Sequence, residues 1–264
     1  MKIKLPQPLL TLAACALLGT APICYGVDIY DDFERADSSS LGSTSGDLEL
    51  PWTKITGGST SDGTSAIYDD ELLLTTTPTG KKAVVLLGAT TGSDAFVAED
   101  FTMTLQLQFS SEAAGDWFSV YYRAQNAAST STGSDSYNLQ IRGNGNLGLY
   151  DRGGEGQLGD TVSVDTGTTA HELTIVSSGS RQQIYWDDVL VLDVTDNITP
   201  WGAGAVKLWS FNGSGAETSS VSITSFELQT IPEPATMGWA LMVLAALFVG
   251  RIRWRRSASS RGHV

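Results

Sequence analysis

The middle of the chain alternates between apolar and polar residues over short segments. In Phe101–Phe109, five apolar residues take the odd positions and four polar residues lie between them. A period of two puts the apolar side chains on one face of a β-strand. The same alternation, or a short apolar run, predicts strands over residues 83–87, 117–123, 137–142, 147–150, 173–176, 183–186, 189–194, 206–211 and 221–228.

Glycine and short polar residues separate these segments and predict tight connections. Residues 143–146 read Gly-Asn-Gly-Asn between two strands, and Asp187-Asp188 lies between two more, so both pairs of strands are expected to be hairpins. Asp69-Asp70 has the same composition and also predicts a turn.

The connections between the predicted strands are short, and residues 27–230 contain no convincing amphipathic helix. About twelve strands without helical crossovers indicate an all-β, antiparallel β-sandwich rather than a parallel sheet. Within 221–228 the apolar positions change phase after Ile223, which predicts a β-bulge.

The first 26 residues differ from this middle part. Lys2 and Lys4 precede a short apolar run, and small residues follow it, which is typical of a secretory signal peptide over residues 1–26. The segment before Cys15 also resembles a lipobox, so lipidation of Cys15 stays open as an alternative. Both cysteines, Cys15 and Cys24, lie inside this segment, and the mature chain is therefore expected to contain no thiol.

The C-terminal end contains a second apolar segment. Residues 235–250 carry no charge, and four arginines follow within residues 251–256. This pattern predicts a transmembrane helix over 235–250, and the positive-inside rule places the basic tail, residues 257–264, in the cytoplasm. Everything before Pro232 is then expected on the outer side of the inner membrane.

The motif Pro232-Glu233-Pro234 stands directly before this apolar segment. Together with the helix and the arginines, it makes residues 231–256 resemble a PEP-CTERM sorting signal. The resemblance implies an exosortase substrate, exported in a Gram-negative bacterium that makes exopolysaccharide. Such a protein would be held in the inner membrane as a precursor, then cleaved near Pro234 and moved to the cell surface or the extracellular matrix.

The charge of the middle part excludes one class of partner. The chain has 16 basic and 29 acidic residues, but seven of the basic residues and only Glu233 among the acidic ones lie in the end segments. Residues 27–231 therefore keep 9 basic and 28 acidic residues, a formal charge of −19. Such a surface repels nucleic acid, so nucleic-acid binding is not expected.

The sequence also resembles concanavalin A-like, laminin-G-like jelly rolls of bacterial surface proteins. The resemblance rests on the opening Asp31-Asp32-Phe33-Glu34-Arg35 with Trp52, and on the later strands around residues 137–141, 172–175 and 184–188. It implies a jelly-roll β-sandwich whose last strand pairs beside its first. It also implies calcium as a candidate cofactor, with Asp31, Asp32 and Asp37, or Asp187 and Asp188, as candidate ligands.

Aromatic residues provide candidate contacts to sugar rings. Trp201 follows Pro200 and precedes Gly202, so it is the best candidate for a surface loop, with Trp117 and Tyr121 as further candidates. Trp186 and Trp209 alternate with polar neighbours and are expected in the core. These residues predict a non-enzymatic protein that binds carbohydrate or another surface component.

The alternative function is a polysaccharide-active glycoside hydrolase with an unrecognised carboxylate pair. Such an enzyme holds two carboxylates about 5 to 10 Å apart, but the Glu-x-Asp-x-x-Glu string of laminarinase-type jelly rolls is absent. His171, the single histidine of residues 27–231, is expected to be a solvated turn residue rather than part of a catalytic triad. Both functions stay open at this point.

Overall fold

The computed structural model describes residues 26–56, 63–77, 81–92, 94–110, 112–131, 135–154, 156–167, 169–198, 200–213 and 218–231. The predicted signal peptide up to residue 25, the motif Pro232-Glu233-Pro234 and the predicted helix 235–250 lie outside these residues. Within the described ranges, no helix is long and apolar enough to cross a membrane.

The described residues form strands that pair antiparallel throughout. The strands are β1 (Asp28–Asp31), β2 (Ser45–Gly46), β3 (Trp52–Lys54), β4 (Thr64–Tyr68), β5 (Glu71–Thr76), β6 (Lys81–Leu87), β7 (Phe101–Phe109), β8 (Asp116–Ala124), β9 (Tyr137–Arg142), β10 (Asn146–Asp151), β11 (Gly156–Ser163), β12 (His171–Ser178), β13 (Arg181–Trp186), β14 (Val189–Thr195), β15 (Ala205–Asn212) and β16 (Ser219–Thr230).

Two sheets enclose the core. One has the order β14-β13-β12-β7-β16-β1-β2, with β5 also pairing with β16 and β4 with β5; the other has the order β11-β10-β9-β8-β15-β6-β3. The last strand pairs beside the first, Asp28 opposite Gln229, as the jelly-roll resemblance implies. The all-β, antiparallel sandwich predicted from the alternation is therefore confirmed.

The alternation of β7 shows why these sequences form a sandwich. Phe101, Met103, Leu105, Leu107 and Phe109 are buried in the core, whereas the four polar residues between them are partly exposed. Burying a side chain of this size contributes about 2 kcal/mol relative to leaving it in water. A shift of one residue would expose all five, so the apolar pattern fixes the register.

The predicted turns and the predicted bulge are present. Asp69 and Asp70 have φ values of 52° and 60° and connect β4 to β5, and Asp187 and Asp188 have similar values between β13 and β14. Gly145 has φ +84° between β9 and β10. The pairing of β16 with β7 shifts register between Ile223 and Ser225, where the apolar positions change phase.

Candidate functional site

The seven-stranded sheet buries one face in the core and carries an unusual set of side chains on the other. Along β8, Phe118, Val120 and Tyr122 belong to the central core. Trp117 and Tyr121, on the same strand, therefore point to the opposite face, because successive side chains alternate. We call this opposite side of β6, β8, β9, β10 and β15 the outer face.

Strand register aligns the outer face into three rows. The first row is Arg142, Trp117, Phe211 and Lys82; the second is Gly148, Gln140, Ser119, Trp209 and Val84; the third is Tyr150, Asn138, Tyr121, Lys207 and Leu86. Each row runs across the strands, so its neighbouring side chains lie close enough to contact one another.

Two aromatic pairs stack between β8 and β15. The rings of Trp117 and Phe211 have centroids 4.0 Å apart and an interplanar angle of 26°. Tyr121 and Trp209 are 4.9 Å apart at the same angle. The second pair is almost fully buried, whereas Trp117 and Phe211 are partly exposed. The first row is therefore the part of this aromatic surface that a ligand can reach.

Basic side chains accompany these rings. Arg142 lies over Trp117 at 5.5 Å, Lys82 over Trp209 at 4.6 Å and Lys207 over Tyr121 at 5.5 Å, measured from each cationic centre to the ring centroid. Arg152, which follows β10, lies 4.4 Å over Tyr150. A cation over a ring face is attracted by the negative quadrupole of the ring. The first and third rows thus combine aromatic and basic residues, and Lys82 of the first row also reaches over Trp209 of the second.

Backbone from Asn126 to Thr130 lies over Lys207 and Lys82. Lys207 Nζ donates to the carbonyl oxygens of Asn126 (3.2 Å) and Ser129 (3.0 Å), and Lys82 Nζ donates to that of Thr130. Burial lowers the pKa of Lys207 to about 8 and also lowers the pKa of Lys82. This segment accounts for part of the burial of the third row.

Three polar atoms of the outer face are buried without a hydrogen-bond partner among the protein atoms. They are Ser119 Oγ, Asn138 Oδ1 and Trp209 Nε1. A buried polar group without a partner costs about 1–3 kcal/mol, and native structures keep few of them. These atoms lie in the second and third rows, beside the first row, and keep unused hydrogen-bonding capacity there.

The predicted sugar contacts divide between two places. Trp117 and Tyr121 lie together on the outer face of β8, Trp117 partly exposed and Tyr121 buried. Trp201 is in the connection before β15, partly buried against the core, and its Nε1 donates to Asp151 Oδ1 at 2.8 Å. Trp201 is therefore not part of the three rows.

The candidate calcium ligands Asp31, Asp32 and Asp37 have protein partners in the structure. Asp31 Oδ2 accepts from Arg35 Nη2 (2.5 Å) and from Trp52 Nε1 (2.8 Å), so this buried carboxylate ties the N-terminal segment to β3. Asp32 accepts from the Glu34 N–H, and Asp37 from the Asp69 N–H. Across the described ranges, no cluster of three or more His, Cys, Asp or Glu side chains could hold a metal ion.

His171 differs from its expected environment. It is only 7% exposed, its Nδ1 lies 2.8 Å from Asp187 Oδ2, and its ring stacks on Trp186 at 5.1 Å. Asp187 Oδ1 also accepts from the Glu172 N–H, so the pair fixes the turn between β13 and β14 against β12. The expectation of a solvated histidine was wrong because this turn folds back over it.

The sequence patterns do not identify Phe211, Lys82, Lys207 or Arg142 as site residues, and they predict Trp209 in the core. Trp209 is buried, but in a separate cluster on the outer face. The only available signal was the alternation in β15, where Lys207, Trp209 and Phe211 occupy every second position. Trp186, by contrast, lies in the central core as expected.

Comparison with solved structures gives the class of fold. A β-glucanase from Bacillus licheniformis superimposes with a TM-score of 0.56 at 14% identity, over 78% of this chain and 99% of that one. The Ca²⁺-bound exoplasmic/lumenal domain of VIP36 gives 0.54 at 12% identity, over 74% and 89%. The chain thus shares the jelly-roll fold of these solved structures.

A third solved structure is also similar, an apo Crh5 transglycosylase, with a TM-score of 0.56 at 14% identity over 78% of this chain and 85% of that one. At these identities the likeness extends to the fold only. No protein-family model and no curated protein matches the sequence.

Proposed function

We propose that the chain is an exported surface or extracellular-matrix protein whose β-sandwich binds polysaccharide on the outer face of the seven-stranded sheet. The observation that carries the proposal is the partly exposed, stacked Trp117–Phe211 pair in the first row. Aromatic rings offer an apolar surface to a sugar ring, and nearby polar groups bond to its hydroxyls.

The surroundings of the pair support binding. Gln140, Ser119 and Asn138 lie in the neighbouring rows, and two of these side chains keep a polar atom without a protein partner. The similar solved structures include a β-glucanase and the exoplasmic/lumenal domain of VIP36, the latter also in a form described as Ca²⁺- and Man-bound. These similarities support carbohydrate as the ligand class that we propose.

The alternative, a glycoside hydrolase, requires two carboxylates on either side of the scissile bond. In the five central strands, every residue of which is described, the outer-face positions hold aromatic, aliphatic, amide, hydroxyl, glycine or basic residues. Asp116 and Asp151 belong to the core side of their strands. A hydrolase would therefore need acids from connecting segments.

A glycan array with the purified full-length protein tests the proposal. We expect wild-type protein to bind at least one polysaccharide and Trp117→Ala to lose about 30-fold in affinity, because a central tryptophan contributes about 2 kcal/mol. Trp201→Ala is the matched control and should bind as wild type. If Trp117→Ala binds as tightly as wild type, the outer face is not the binding site. Release of reducing ends from the bound glycan would favour the hydrolase.

Export remains part of the proposal and rests on the sequence. The signal peptide 1–26, the motif Pro232-Glu233-Pro234 and the apolar segment 235–250 with its arginines support an inner-membrane precursor that exosortase processes. Mass spectrometry of the surface-located protein should find an N-terminus near Val27 and a C-terminus near Pro234. Recovery of peptides from residues 251–256, or of diacylglyceryl-Cys15, would contradict this processing.

A further inference from the structure

Two sets of basic residues in the sandwich differ in their partners. In the first set, Arg35 pairs with Asp31, Arg123 with Asp100 and Arg181 with Asp193. The second set lies on or beside the outer face, and none of its members pairs with a carboxylate of the described residues: Lys82, Arg142, Arg152 and Lys207.

The partners of this second group are neutral. Arg142 Nη1 donates to the Ala114 carbonyl at 3.1 Å, and both lysines donate to carbonyls of the segment from Asn126 to Thr130. The buried Nε of Arg152 has no hydrogen-bond partner. A carbonyl oxygen satisfies a donor but does not cancel its charge, so these side chains keep their positive field.

This arrangement is unexpected in a chain of this composition. Residues 27–231 carry 28 acidic side chains against 9 basic ones. None of the acidic side chains takes an outer-face position in β6, β8, β9, β10 or β15, strands that are described in full. The outer face is therefore a locally positive surface on an otherwise acidic domain, and such a surface selects ligands of opposite charge.

The first row has basic groups at its two ends. Arg142 on β9 and Lys82 on β6 occupy the positions on either side of the Trp117–Phe211 pair, and three strand spacings of about 4.8 Å put their backbones roughly 14 Å apart. The Lys82 ammonium leans toward Trp209 of the second row. This order of cation, two rings and cation fits a sugar chain lying across the strands, with a ring on the aromatic pair and an anionic group near each end.

We propose that the first row binds an anionic polysaccharide, one that carries carboxylate or sulfate groups. The inference rests on the proposed function and adds the class of ligand. Trp117 and Phe211 contact the sugar ring, whereas Arg142 and Lys82 pair with the anionic groups. Arginine suits this role because its planar guanidinium can donate two parallel hydrogen bonds to one carboxylate or sulfate.

Pairs of charged and neutral polymers with the same sugar show whether the affinity depends on the anionic groups. The full-length protein is titrated with polygalacturonate and its fully methyl-esterified form, and with dextran sulfate and dextran. We expect at least one charged polymer to bind about tenfold or more tighter than its neutral partner, with an affinity that falls as salt increases. The first pair reports on carboxylate and the second on sulfate.

Single substitutions show which basic residues cause the preference for a charged polymer. Arg142→Gln and Lys82→Gln should each lose about tenfold in affinity for the charged polymer, as expected for one charge-assisted hydrogen bond. Arg142→Lys should lose less than Arg142→Gln, because it keeps the charge but not the paired donors of the guanidinium. Arg181→Gln is the matched control, because it removes the same charge from the other sheet. Circular dichroism and thermal melting verify that each variant is folded.

The outcomes distinguish the two proposals. Equal binding of a charged polymer and its neutral partner, or equal losses in Arg142→Gln and Arg181→Gln, would overturn the anionic ligand and leave polysaccharide binding in place. Failure to bind any of the four polymers, together with an empty glycan array, would overturn both.

Discussion

Lys207 allows a quantitative test of the outer face, because burial places its pKa at about 8, well below the 10.5 of an exposed lysine. Between these two values the unfolded chain still binds the proton that the folded chain has released. Stability depends on pH with a slope set by this difference in bound protons, so the free energy of unfolding rises with pH in this window.

The magnitude follows from the two pKa values. For each pH unit between the two pKa values, the free energy of unfolding rises by about 1.4 kcal/mol. Near each pKa value the lysine is only partly titrated, so the total increase is smaller. From pH 7.5 to 9.5, Lys207 should therefore add about 2 kcal/mol to the free energy of unfolding. The tyrosines whose pKa burial raises, such as Tyr122, oppose this trend only above pH 10.

Urea denaturation of wild type and Lys207→Met at pH 7.5, 8.5 and 9.5 measures the effect. The variant also loses the hydrogen bonds to Asn126 and Ser129, so its stability differs from wild type at every pH. The test is the slope: wild type should gain about 2 kcal/mol more than the variant over this range. Parallel pH profiles would refute the lowered pKa, and with it the buried ammonium group on this face.

The remaining predictions concern the fold and the candidate metal. Asp31→Asn should lower the free energy of unfolding by about 2–3 kcal/mol in urea titrations, because Arg35 and Trp52 both donate to this carboxylate; a loss below 0.5 kcal/mol would contradict that role. Gly145→Ala should lower the melting temperature, since the added Cβ would lie 2.1 Å from the Val164 carbonyl oxygen, and an unchanged value would show that the turn can relax. If calcium binds as the resemblance implies, excess EDTA lowers the melting temperature; equal values with and without it would count against a calcium site.

The fold could be predicted because its strongest signals are local. The alternation in Phe101–Phe109 requires no knowledge of the partner strand, and the Asp187-Asp188 turn follows from residues that tolerate positive φ. Two of the strands that were not predicted, β2 and β11, lack such signals. β2 has two residues, and β11 has the sequence Gly-Gln-Leu-Gly-Asp-Thr-Val-Ser at a sheet edge, with one deeply buried side chain.

The candidate site could be predicted only in part, because it forms between distant segments. Alternation along β8 puts Trp117 and Tyr121 on one face, and both were identified as candidate sugar contacts. Their stacking partners lie on β15, about ninety positions later, and only the register shows that Phe211 is opposite Trp117. Trp201 was favoured for its loop position, but the hydrogen bond to Asp151 could not be foreseen.

The indole N–H resonances of the tryptophans can show whether the ligand binds on the outer face. In an NMR titration with a polysaccharide that the array identifies, each indole signal reports on its own site, and single Trp→Phe variants assign them. We expect the Trp117 signal to shift on binding, while the signals of the core residue Trp186 and of Trp201 stay in place. A shift of the Trp201 signal with an unmoved Trp117 signal would contradict this expectation and place the ligand away from the outer face.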